Sequence, residues 1–295
     1  MQVIAIDLGS NTLQAIKYDC VEKKVIKSFL KTVRTAEGLI ASGKISKEAT
    51  ARVVDALLEA KEQLNFSNCK IEAVTTQALR VATNTKDVLN SIKEQTGVEF
   101  NIISPKIEAE LTLKAVKARL DALDIMQNFV LCDIGGGSTE ISYYIDGKIY
   151  SKSFELGIVT TANSTKSLED IEHYVKEKAL DIKEFIKNFN NSNLIFTATA
   201  GTPTTIAAMK LGMSYNTYDA AKVTGTNLSV QELNFYLDKL LNMSISERKI
   251  AVGVGRDDLI VAGVIIFKEI YSILNKNIAL IIDDGLSIGV GLNAC

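Results

Sequence analysis

The sequence predicts an α/β protein made of two similar domains, and three features of the chain support this fold class. Short apolar stretches typical of strands alternate with longer segments in which apolar residues recur at helical spacing. One pattern occurs twice, at residues 3–18 and 129–145: an apolar strand, Asp-x-Gly, a hydroxyl residue and a second strand. With 295 residues, the chain is long enough for two domains, each with its own core.

The first copy of this pattern lies at the start of the chain. Residues 3–6 form an apolar strand that ends at Asp7, and Gly9, Ser10 and Asn11 form the turn into an alternating second strand. The turn opens a strand rather than a helix and lacks the Gly-Lys-Ser/Thr ending, so it is not a P-loop.

A helix is predicted from about Lys47 to Leu64, with Ser46 as its cap, followed by a strand from Ile71 to Thr75. This strand turns directly into another helix. Arg80 therefore lies at a strand end, which is where α/β folds bind their ligands. From position alone, a surface salt bridge explains Arg80 equally well.

The next predicted helix begins with Ser104 as N-cap and Pro105 as the first helical residue. Glu108 then lies in the first turn, where the helix macrodipole favours the carboxylate form of its side chain. This setting suits an ionised general base, although glutamates also occupy it simply to stabilise helices. The helix continues to about Leu123, and we expect it to connect the two domains.

The second copy of the pattern is the most distinctive stretch of the chain. An apolar strand ends at Asp133, which can hold Mg²⁺ directly or through water. The turn that follows consists of Gly135, Gly136, Gly137, Ser138 and Thr139. Consecutive glycines expose backbone N–H groups and let an anion approach closely, and the two hydroxyl groups add donors. Taken alone, the stretch also fits a tight hairpin with a capped aspartate.

A third glycine-hydroxyl turn follows the apolar strand at residues 194–198. Gly201 and Thr202 begin a helix there, and the free N–H groups at a helix N-terminus hold anions. A further helix is predicted from Arg256 to about Leu274. The last strand ends at Asp283-Asp284-Gly285, another acidic strand end followed by glycine.

Composition and charge exclude several classes of function. The chain is 47% apolar and 23% charged, as expected of a compact soluble protein. It has 33 basic and 35 acidic residues, which argues against a general nucleic-acid surface. The single histidine, His173, lies on a charged helix, so histidine-based nucleophilic or zinc chemistry is excluded. The first residues do not show the charged and apolar pattern of a signal peptide, and no apolar run approaches the length of a membrane span, so we expect no membrane partner and a cytoplasmic location.

The four cysteines are scattered along the chain without Cys-x-x-Cys spacing. They are Cys20, Cys69, Cys132 and Cys295. We therefore expect neither a disulfide nor a cysteine metal site, and a reducing compartment fits this pattern.

Together these motifs resemble the exopolyphosphatase and guanosine pentaphosphate phosphohydrolase (Ppx/GppA) family of the actin-like ATPase superfamily. The matching stretches are residues 7–11, 37–38, 75–80, 108–109, 133–140, 200–202 and 256–258. The resemblance implies two ribonuclease H-like domains flanking a central cleft, at residues 1–120 and 121–295, with the last helix able to pack back on the first domain.

The resemblance also implies roles for individual residues. Glu108 matches the catalytic glutamate, Arg80 a phosphate-facing arginine, and Asp133 the magnesium-associated aspartate, with Asp7 as its counterpart in the first copy. The other residues expected to bind phosphate are Gly9, Ser10, Asn11, Gly135, Gly136, Gly137, Ser138, Thr139, Gly201 and Thr202. The implied cofactor is Mg²⁺, with Mn²⁺ as an alternative.

The chain departs from the family pattern at two places. Ile107 replaces the first of two glutamates, and Ser287-Ile288 replaces a basic-acidic pair near the C-terminus. Longer members also carry an appended helical region. These departures leave the substrate open between inorganic polyphosphate and guanosine pentaphosphate, and a homodimer also remains open.

The sequence thus predicts Mg²⁺-dependent hydrolysis of a terminal phosphoanhydride bond, with Glu108 activating the attacking water. Two alternatives stay open. One is a kinase of the same superfamily that binds ATP. The other is a catalytically weak relative that binds guanosine tetra- or pentaphosphate and signals through a partner.

Overall fold

The computed structural model describes all 295 residues, and the chain divides into two compact units. Unit 1 comprises Met1–Ala115 with Gly285–Cys295, and unit 2 comprises Val116–Asp284. The predicted domain limits and the cleft stay predictions. None of the helices is both long and apolar enough to cross a bilayer.

Strands and helices alternate along the chain as the α/β prediction requires. The strands are β1 (Gln2–Leu8), β2 (Thr12–Asp19), β3 (Lys24–Thr32), β4 (Lys70–Thr75), β5 (Phe100–Ile102), β6 (Phe129–Ile134), β7 (Thr139–Ile145), β8 (Lys148–Phe154), β9 (Ile195–Thr199), β10 (Thr226–Ser229) and β11 (Ile278–Ile281). The helices are α1 (Leu39–Ser42), α2 (Lys47–Leu64), α3 (Gln77–Val81), α4 (Thr85–Thr96), α5 (Pro105–Ala122), α6 (Ile158–Ser164), α7 (Leu168–Lys178), α8 (Leu180–Ile186), α9 (Gly201–Lys210), α10 (Ala220–Val223), α11 (Val230–Asn242), α12 (Ile245–Val252), α13 (Ile260–Leu274) and α14 (Leu286–Ala294). A 3₁₀ helix covers Tyr215–Thr217.

Each unit contains one sheet, and the two sheets share a strand order. Unit 1 has the order β3-β2-β1-β4-β5. The pairings β3–β2 and β2–β1 are antiparallel, and the pairings β1–β4 and β4–β5 are parallel. Unit 2 has the order β8-β7-β6-β9-β11-β10, which begins with the same two hairpins and two parallel pairings before β10 is added antiparallel. The repeated sequence pattern therefore corresponds to a repeated sheet topology, and the predicted α/β fold class is confirmed.

Helix α13 forms the centre of the unit 2 core. It is apolar on nearly all its surface and is buried along most of its length. The rings of Phe267 and Tyr271 on α13 pack on each other and on Phe196 of β9, with centroid distances of 4.8–6.0 Å. The helix begins at Ile260, so the predicted start at Arg256 is wrong. The residues before it form turns, in which Gly253 and Gly255 adopt positive φ angles of 93° and 75°.

Helix α14 returns to unit 1 and packs against β1 and β2. Gly291 lies close to Tyr18 and Ile16 of β2, so a side chain there would meet both. The end of α14 thereby comes close to the end of β2, and Cys295 forms a disulfide with Cys20, with a Cα–Cα distance of 5.4 Å.

The expectation of no disulfide is therefore wrong, and the cysteine pattern no longer supports a reducing compartment. The two cysteines are 275 residues apart in the sequence. Only the return of α14 to the first sheet brings them together, and no local spacing signals this. Cys69 and Cys132 are free thiols.

A close backbone approach fixes α14 against α5, and it generates a stability prediction. A Cβ added at Gly289 would lie 2.1 Å from the Leu111 carbonyl oxygen and 2.5 Å from its carbon. Because both neighbours are backbone atoms, the helices must separate to accommodate it. We expect Gly289→Ala to lower the free energy of unfolding by about 1–3 kcal/mol, measured by urea unfolding.

The matched control is Gly285→Ala. Gly285 precedes the same helix, has φ −116° and has no atom within 4 Å of an added Cβ. Gly285 is the N-cap of α14, where alanine is less favourable than glycine, so this substitution should lower stability by no more than about 1 kcal/mol. Equal stability of the Gly289 and Gly285 variants would contradict the packing of α14 described here.

Candidate active site

The first glycine turn connects β1 to β2 in unit 1. The Gly9 N–H donates to the Thr12 carbonyl oxygen at 2.9 Å and closes the turn. Ser10 and Asn11, the two residues between them, are buried. The turn is thus a fixed part of the sheet edge, located where the sequence predicts it.

The second glycine turn connects β6 to β7 in unit 2 and is closed in the same way. The Gly135 N–H donates to the Ser138 carbonyl oxygen at 2.9 Å. A Cβ at Gly135 would lie only 3.0 Å from that oxygen. The two turns thus share their hydrogen-bond pattern as well as their sequence pattern.

The segment after the third strand supports each turn from behind. In unit 1, the N–H groups of Val33 and Arg34 both donate to the Asn11 carbonyl oxygen at 2.9 Å. In unit 2, the Val159 N–H donates to the Gly136 carbonyl oxygen at 2.7 Å. Because these carbonyl oxygens accept hydrogen bonds within the protein, the turns are suited to bind an anion through their N–H groups.

Close packing makes the second turn particularly rigid. A Cβ at Gly157 would lie 2.3 Å from the Gly137 carbonyl carbon and 2.5 Å from the Gly136 carbonyl oxygen. Only glycine fits at residue 157, where α6 begins directly behind the turn. The start of α6 thus fixes the position of Gly136 and Gly137.

The two predicted hydroxyl residues of the second turn are used within the protein. Thr139 is fully buried, and its hydroxyl donates to the Leu156 carbonyl oxygen. Ser138 donates to Glu140 Oε1 at 2.7 Å, and Ser153 donates to the same oxygen at 2.6 Å. In this structure the hydroxyl groups anchor the turn, and phosphate binding by its backbone N–H groups stays a prediction.

The two predicted metal-binding aspartates occupy equivalent places in the two sheets. Asp7 lies near the end of β1 and Asp133 near the end of β6, each just before a glycine turn. Asp133 pairs with Glu140 across the β6–β7 ladder, which places two carboxylate residues side by side.

The donor set in each unit suits Mg²⁺ held mainly by substrate and water. No group of three or more His, Cys, Asp or Glu side chains forms a metal cluster. Mg²⁺ prefers oxygen ligands and is usually held by only one or two carboxylates together with phosphate oxygens and water. An aspartate at a strand end before a predicted phosphate-binding turn fits this kind of metal.

Glu108 and Arg80 form an ion pair in unit 1. Arg80 Nη1 donates to Glu108 Oε2 at 2.8 Å and to the Ile103 carbonyl oxygen at 2.8 Å. The side chains are only 16% and 13% exposed, so the pair is shielded from bulk solvent. Arg80 is thus the partner of Glu108 as well as a predicted phosphate contact.

Local structure places Glu108 in the first turn of α5 as predicted. The Ser104 hydroxyl accepts from the Ile107 N–H at 3.3 Å and caps the helix. Burial raises the pKa of the Glu108 carboxyl, and the hydrogen bond and charge of Arg80 oppose this effect. The sequence suggested only the favourable influence of the helix terminus on the carboxylate. The structure adds a desolvation effect of opposite sign.

A chain of hydrogen bonds joins this pair to the strand ends of the unit 1 sheet. Thr75 Oγ1 donates to the Leu8 carbonyl oxygen at 2.8 Å, and the Thr75 carbonyl oxygen accepts from the Ile103 N–H at 3.1 Å. Ile103 in turn binds Arg80. Asp7, the first glycine turn, Arg80 and Glu108 therefore belong to one edge, at the carboxyl ends of the parallel strands.

The third glycine turn, between β9 and α9, lies at the corresponding edge of unit 2. Ala200 adopts φ 73° and ψ −175°, a region that non-glycine residues rarely occupy. Strain of this kind concentrates at ligand sites. Thr199 pairs with Asp133 in the sheet, so the turn begins beside the predicted metal-binding strand end.

Arg256 lies against the third turn, and the sequence analysis did not include it among the site residues. A Cβ at Gly201 would lie 2.2 Å from Arg256 Nη2, so glycine is required for the guanidinium to approach. Burial lowers the pKa of Arg256, while Asp283 and the phenols of Tyr215 and Tyr218 oppose this effect. The one sequence signal was the matching stretch at residues 256–258.

Thr202 is placed at the start of α9 but is turned towards the core. Its side chain is almost completely buried, and its hydroxyl has no hydrogen-bond partner within the protein. A Cβ at Gly263 would lie 2.1 Å from Thr202 Oγ1, so α13 packs directly on it. Phosphate binding at this turn by Gly201 and the backbone N–H groups of α9 stays a prediction.

Comparison with protein families identifies the chain. The model of the Ppx/GppA phosphatase family matches residues 19–293. Over 94% of its length, the chain is 26% identical to the bifunctional 3-dehydroquinate synthase/phosphatase of Fusobacterium nucleatum, of which it covers 44%. Across 50% of its length, it is 32% identical to exopolyphosphatase 1 of Mycobacterium tuberculosis, of which it covers 43%. Exopolyphosphatase 2 of the same organism is 27% identical over 91% of the chain and 89% of its own length.

Solved structures show the same fold. An exopolyphosphatase from Cytophaga hutchinsonii superposes with a TM-score of 0.87 at 22% identity, covering 98% of this chain and 96% of that one. The Ppx/GppA family member of Aquifex aeolicus superposes with a TM-score of 0.78 at 23% identity, covering 100% and 97%. The chain spans less than half the length of the first two relatives above, yet the family model matches nearly all of it. The chain therefore belongs to the Ppx/GppA phosphatase family.

Proposed function

We propose that this chain hydrolyses the terminal phosphoanhydride bond of inorganic polyphosphate or guanosine pentaphosphate. The observation that carries this proposal is the shielded Arg80–Glu108 pair at the strand ends that also hold Asp7 and the first glycine turn. Relatives named exopolyphosphatase support polyphosphate as the substrate. Guanosine pentaphosphate rests on the family alone.

Glu108 acts as the base that orients the attacking water. The water oxygen forms a bond to the terminal phosphorus while the bond from that phosphorus to the bridging oxygen breaks. The water proton passes to Glu108, and the shortened chain leaves with the bridging oxygen. Burial raises the pKa of Glu108, which makes it a stronger proton acceptor than an exposed glutamate.

Arg80 has two functions in this scheme. It keeps Glu108 ionised and fixes the orientation of the carboxylate through the 2.8 Å hydrogen bond. Its positive charge also lies where negative charge builds up on the transferred phosphoryl group. Phosphoryl transfer depends mainly on positioning and charge stabilisation, so one rigid arginine can both orient Glu108 and stabilise the charge on the phosphoryl group.

The glycine turns bind phosphate oxygens through backbone N–H groups. Asp7 and Asp133 are the residues that would hold Mg²⁺, or Mn²⁺, at these turns. The metal supplies charge neutralisation for the phosphate oxygens. Because the carboxylates alone make an incomplete ligand set, metal binding should depend on substrate.

A phosphate-release assay tests the proposed function directly. The substrates are polyphosphate, guanosine pentaphosphate and ATP, each with and without Mg²⁺. Metal-dependent release from either of the first two supports the proposal. Release from ATP alone would favour the kinase-like alternative, and no release from any substrate would favour a binding protein.

The first prediction about the reaction concerns the general base. Glu108→Gln retains size and hydrogen bonding but loses the charge that accepts the proton. Turnover should fall by roughly two to four orders of magnitude while KM changes little, measured by steady-state phosphate release.

Glu110→Gln is the matched control, because Glu110 lies on the same helix with a side chain 46% exposed. Its turnover should stay within a few-fold of wild type. Wild-type activity should also fall as the pH drops through the raised pKa of Glu108, since only the carboxylate can accept a proton. If Glu108→Gln turns over like Glu110→Gln, Glu108 is not the base.

A second prediction concerns the metal. Asp133→Asn removes a charge from the proposed metal ligand with little change in shape, so the Mg²⁺ concentration for half-maximal activity should rise by roughly tenfold or more. The measurement is a Mg²⁺ titration of phosphate release. Asp146→Asn, in the exposed hairpin turn, serves as control and should titrate like wild type. Full wild-type activity in EDTA would remove the metal from the mechanism.

A third prediction concerns chain length. Basic and acidic residues are nearly balanced, at 33 and 35, which leaves little charge for a long basic track along a polyphosphate. We expect the enzyme to release the shortened chain after each cleavage. Gel analysis of a uniform long polyphosphate should show a ladder of intermediates. If the gel shows full-length polyphosphate and free phosphate but no chains of intermediate length, hydrolysis is processive instead.

A further inference from the structure

Two neighbouring carboxylates follow the last strand of unit 2, and their environments differ. Asp284 forms a two-pronged ion pair with Arg119, with Nε to Oδ2 at 2.6 Å and Nη2 to Oδ1 at 3.0 Å. Asp284 is 4% exposed, whereas the Arg119 side chain is 43% exposed. The two hydrogen bonds fix the position of the Asp284 carboxyl group.

Asp283 lacks such a pair. Its carboxyl is hydrogen-bonded to the hydroxyl of Tyr218, and burial raises the pKa of that phenol. Arg256 influences Asp283 by charge rather than through a hydrogen bond. The Asp283 backbone N–H donates to the Thr224 hydroxyl at 3.1 Å, which fixes the residue in place.

The charged groups around Asp283 come from each neighbouring segment. They are Asp284 on its own segment, Arg119 on α5, Arg256 before α13 and the Tyr218 phenol. Helix α10 adds Lys222, which pairs with Asp219 instead. Two arginines thus face two carboxylates, and this balance holds only while the site contains no anion.

A bound phosphoryl group would disturb this balance. The guanidinium of Arg256 lies against Gly201 at the N-terminus of α9, the place that the proposed function assigns to phosphate. With the anion added, two positive charges would face at least three negative charges in an enclosed space. Asp284 is held by two hydrogen bonds, so Asp283 is the carboxylate that can take up a proton.

We infer that Asp283 takes up a proton when an anion binds beside Arg256, so that this chain couples phosphate binding at α9 to protonation. The inference rests on the proposed function only for the identity of the anion. In this scheme the protonation state of Asp283 sets the net charge around the bound anion, and the Tyr218 hydrogen bond shifts the pKa of Asp283.

The direction of the effect follows from charge. The pKa of Asp283 is raised to about 6: burial is the largest cause and the charge of Asp284 adds to it, while the Tyr218 hydrogen bond and both arginines oppose it. An anion beside Arg256 would raise the pKa again, because like charges disfavour the carboxylate. Anion affinity should therefore be high below about pH 6 and should fall as the pH rises through and above that value.

Sulfate is the appropriate probe, because it resembles phosphate and does not titrate between pH 5 and 9. Calorimetry between pH 5.5 and 8, in buffers of different ionisation enthalpy, yields both affinity and protons taken up. We expect Kd to rise by up to roughly tenfold per pH unit, with up to about one proton bound per sulfate.

Two variants distinguish this coupling from a structural role. Asp283→Asn should bind sulfate with no pH dependence and more tightly than wild type at pH 8, because the competing charge is gone. Tyr218→Phe loses the hydrogen bond that favours the carboxylate, so the fall in affinity should move to higher pH. A variant that was merely destabilised would show neither shift.

The controls remove similar groups elsewhere in unit 2. Asp181→Asn deletes an exposed carboxylate on α8, and Tyr143→Phe deletes an enclosed hydroxyl that donates to Asn191 at 2.9 Å. Both should retain the wild-type pH dependence of sulfate binding.

Several results would overturn the inference. They are pH-independent sulfate binding by wild type, a pH dependence that persists in Asp283→Asn, and no sulfate binding at any pH. Because the measurement needs no hydrolysis, its outcome is separate from that of the proposed function. Coupled sulfate binding without polyphosphate hydrolysis would retain this inference and reject the enzymatic proposal.

Discussion

The 2.8 Å ion pair between Arg80 and Glu108 is the interaction on which the proposed chemistry depends. An enclosed carboxylate tends to become protonated, and a protonated glutamate cannot accept a proton from water. Arg80 counters this tendency while it is itself held by the Ile103 carbonyl oxygen at the end of β5. The shared hydrogen bonds from Leu8 through Thr75 to Ile103 then join the pair to the strand ends of the sheet. The position of the proposed base is thus determined by the sheet rather than by a flexible loop.

The two glycine turns show the same physical solution in two sheets. In each, an N–H closes the turn at 2.9 Å and a later segment binds its carbonyl oxygens. Because the carbonyl oxygens are hydrogen-bonded within the protein, the proposed phosphate contacts of each turn come from backbone N–H groups rather than from a basic side chain. This suits a chain whose basic and acidic residues nearly cancel, since local donors replace a large positive surface. In unit 2, the same edge also has Arg256 against Gly201, and Asp283 balances the charge of that arginine.

Local sequence signals predicted local structure well. Helix α2 spans Lys47–Leu64 as expected, and Ser46 caps it by accepting from the Ala49 N–H. Asp146 and Gly147 both have positive φ angles, as their hairpin prediction requires. Features that depend on distant parts of the chain could not be predicted. The Cys20–Cys295 disulfide joins the end of β2 to the end of α14, 275 residues later, and the approach of Arg256 to Gly201 joins residues 55 positions apart. The sequence motif identified Glu108, but only the structure shows that Arg80 is its partner.

The measurement that tests the central claim most directly follows the oxygen of the attacking water. Tripolyphosphate is hydrolysed by the protein with Mg²⁺ in water enriched in ¹⁸O, and the initial products are analysed by mass spectrometry. The account predicts one ¹⁸O in each released phosphate and none in the pyrophosphate, because water attacks the terminal phosphorus. Two results would contradict hydrolysis at the terminal phosphorus by a water that Glu108 activates. One is ¹⁸O in the pyrophosphate, and the other is an unlabelled phosphoryl group transferred to an acceptor other than water.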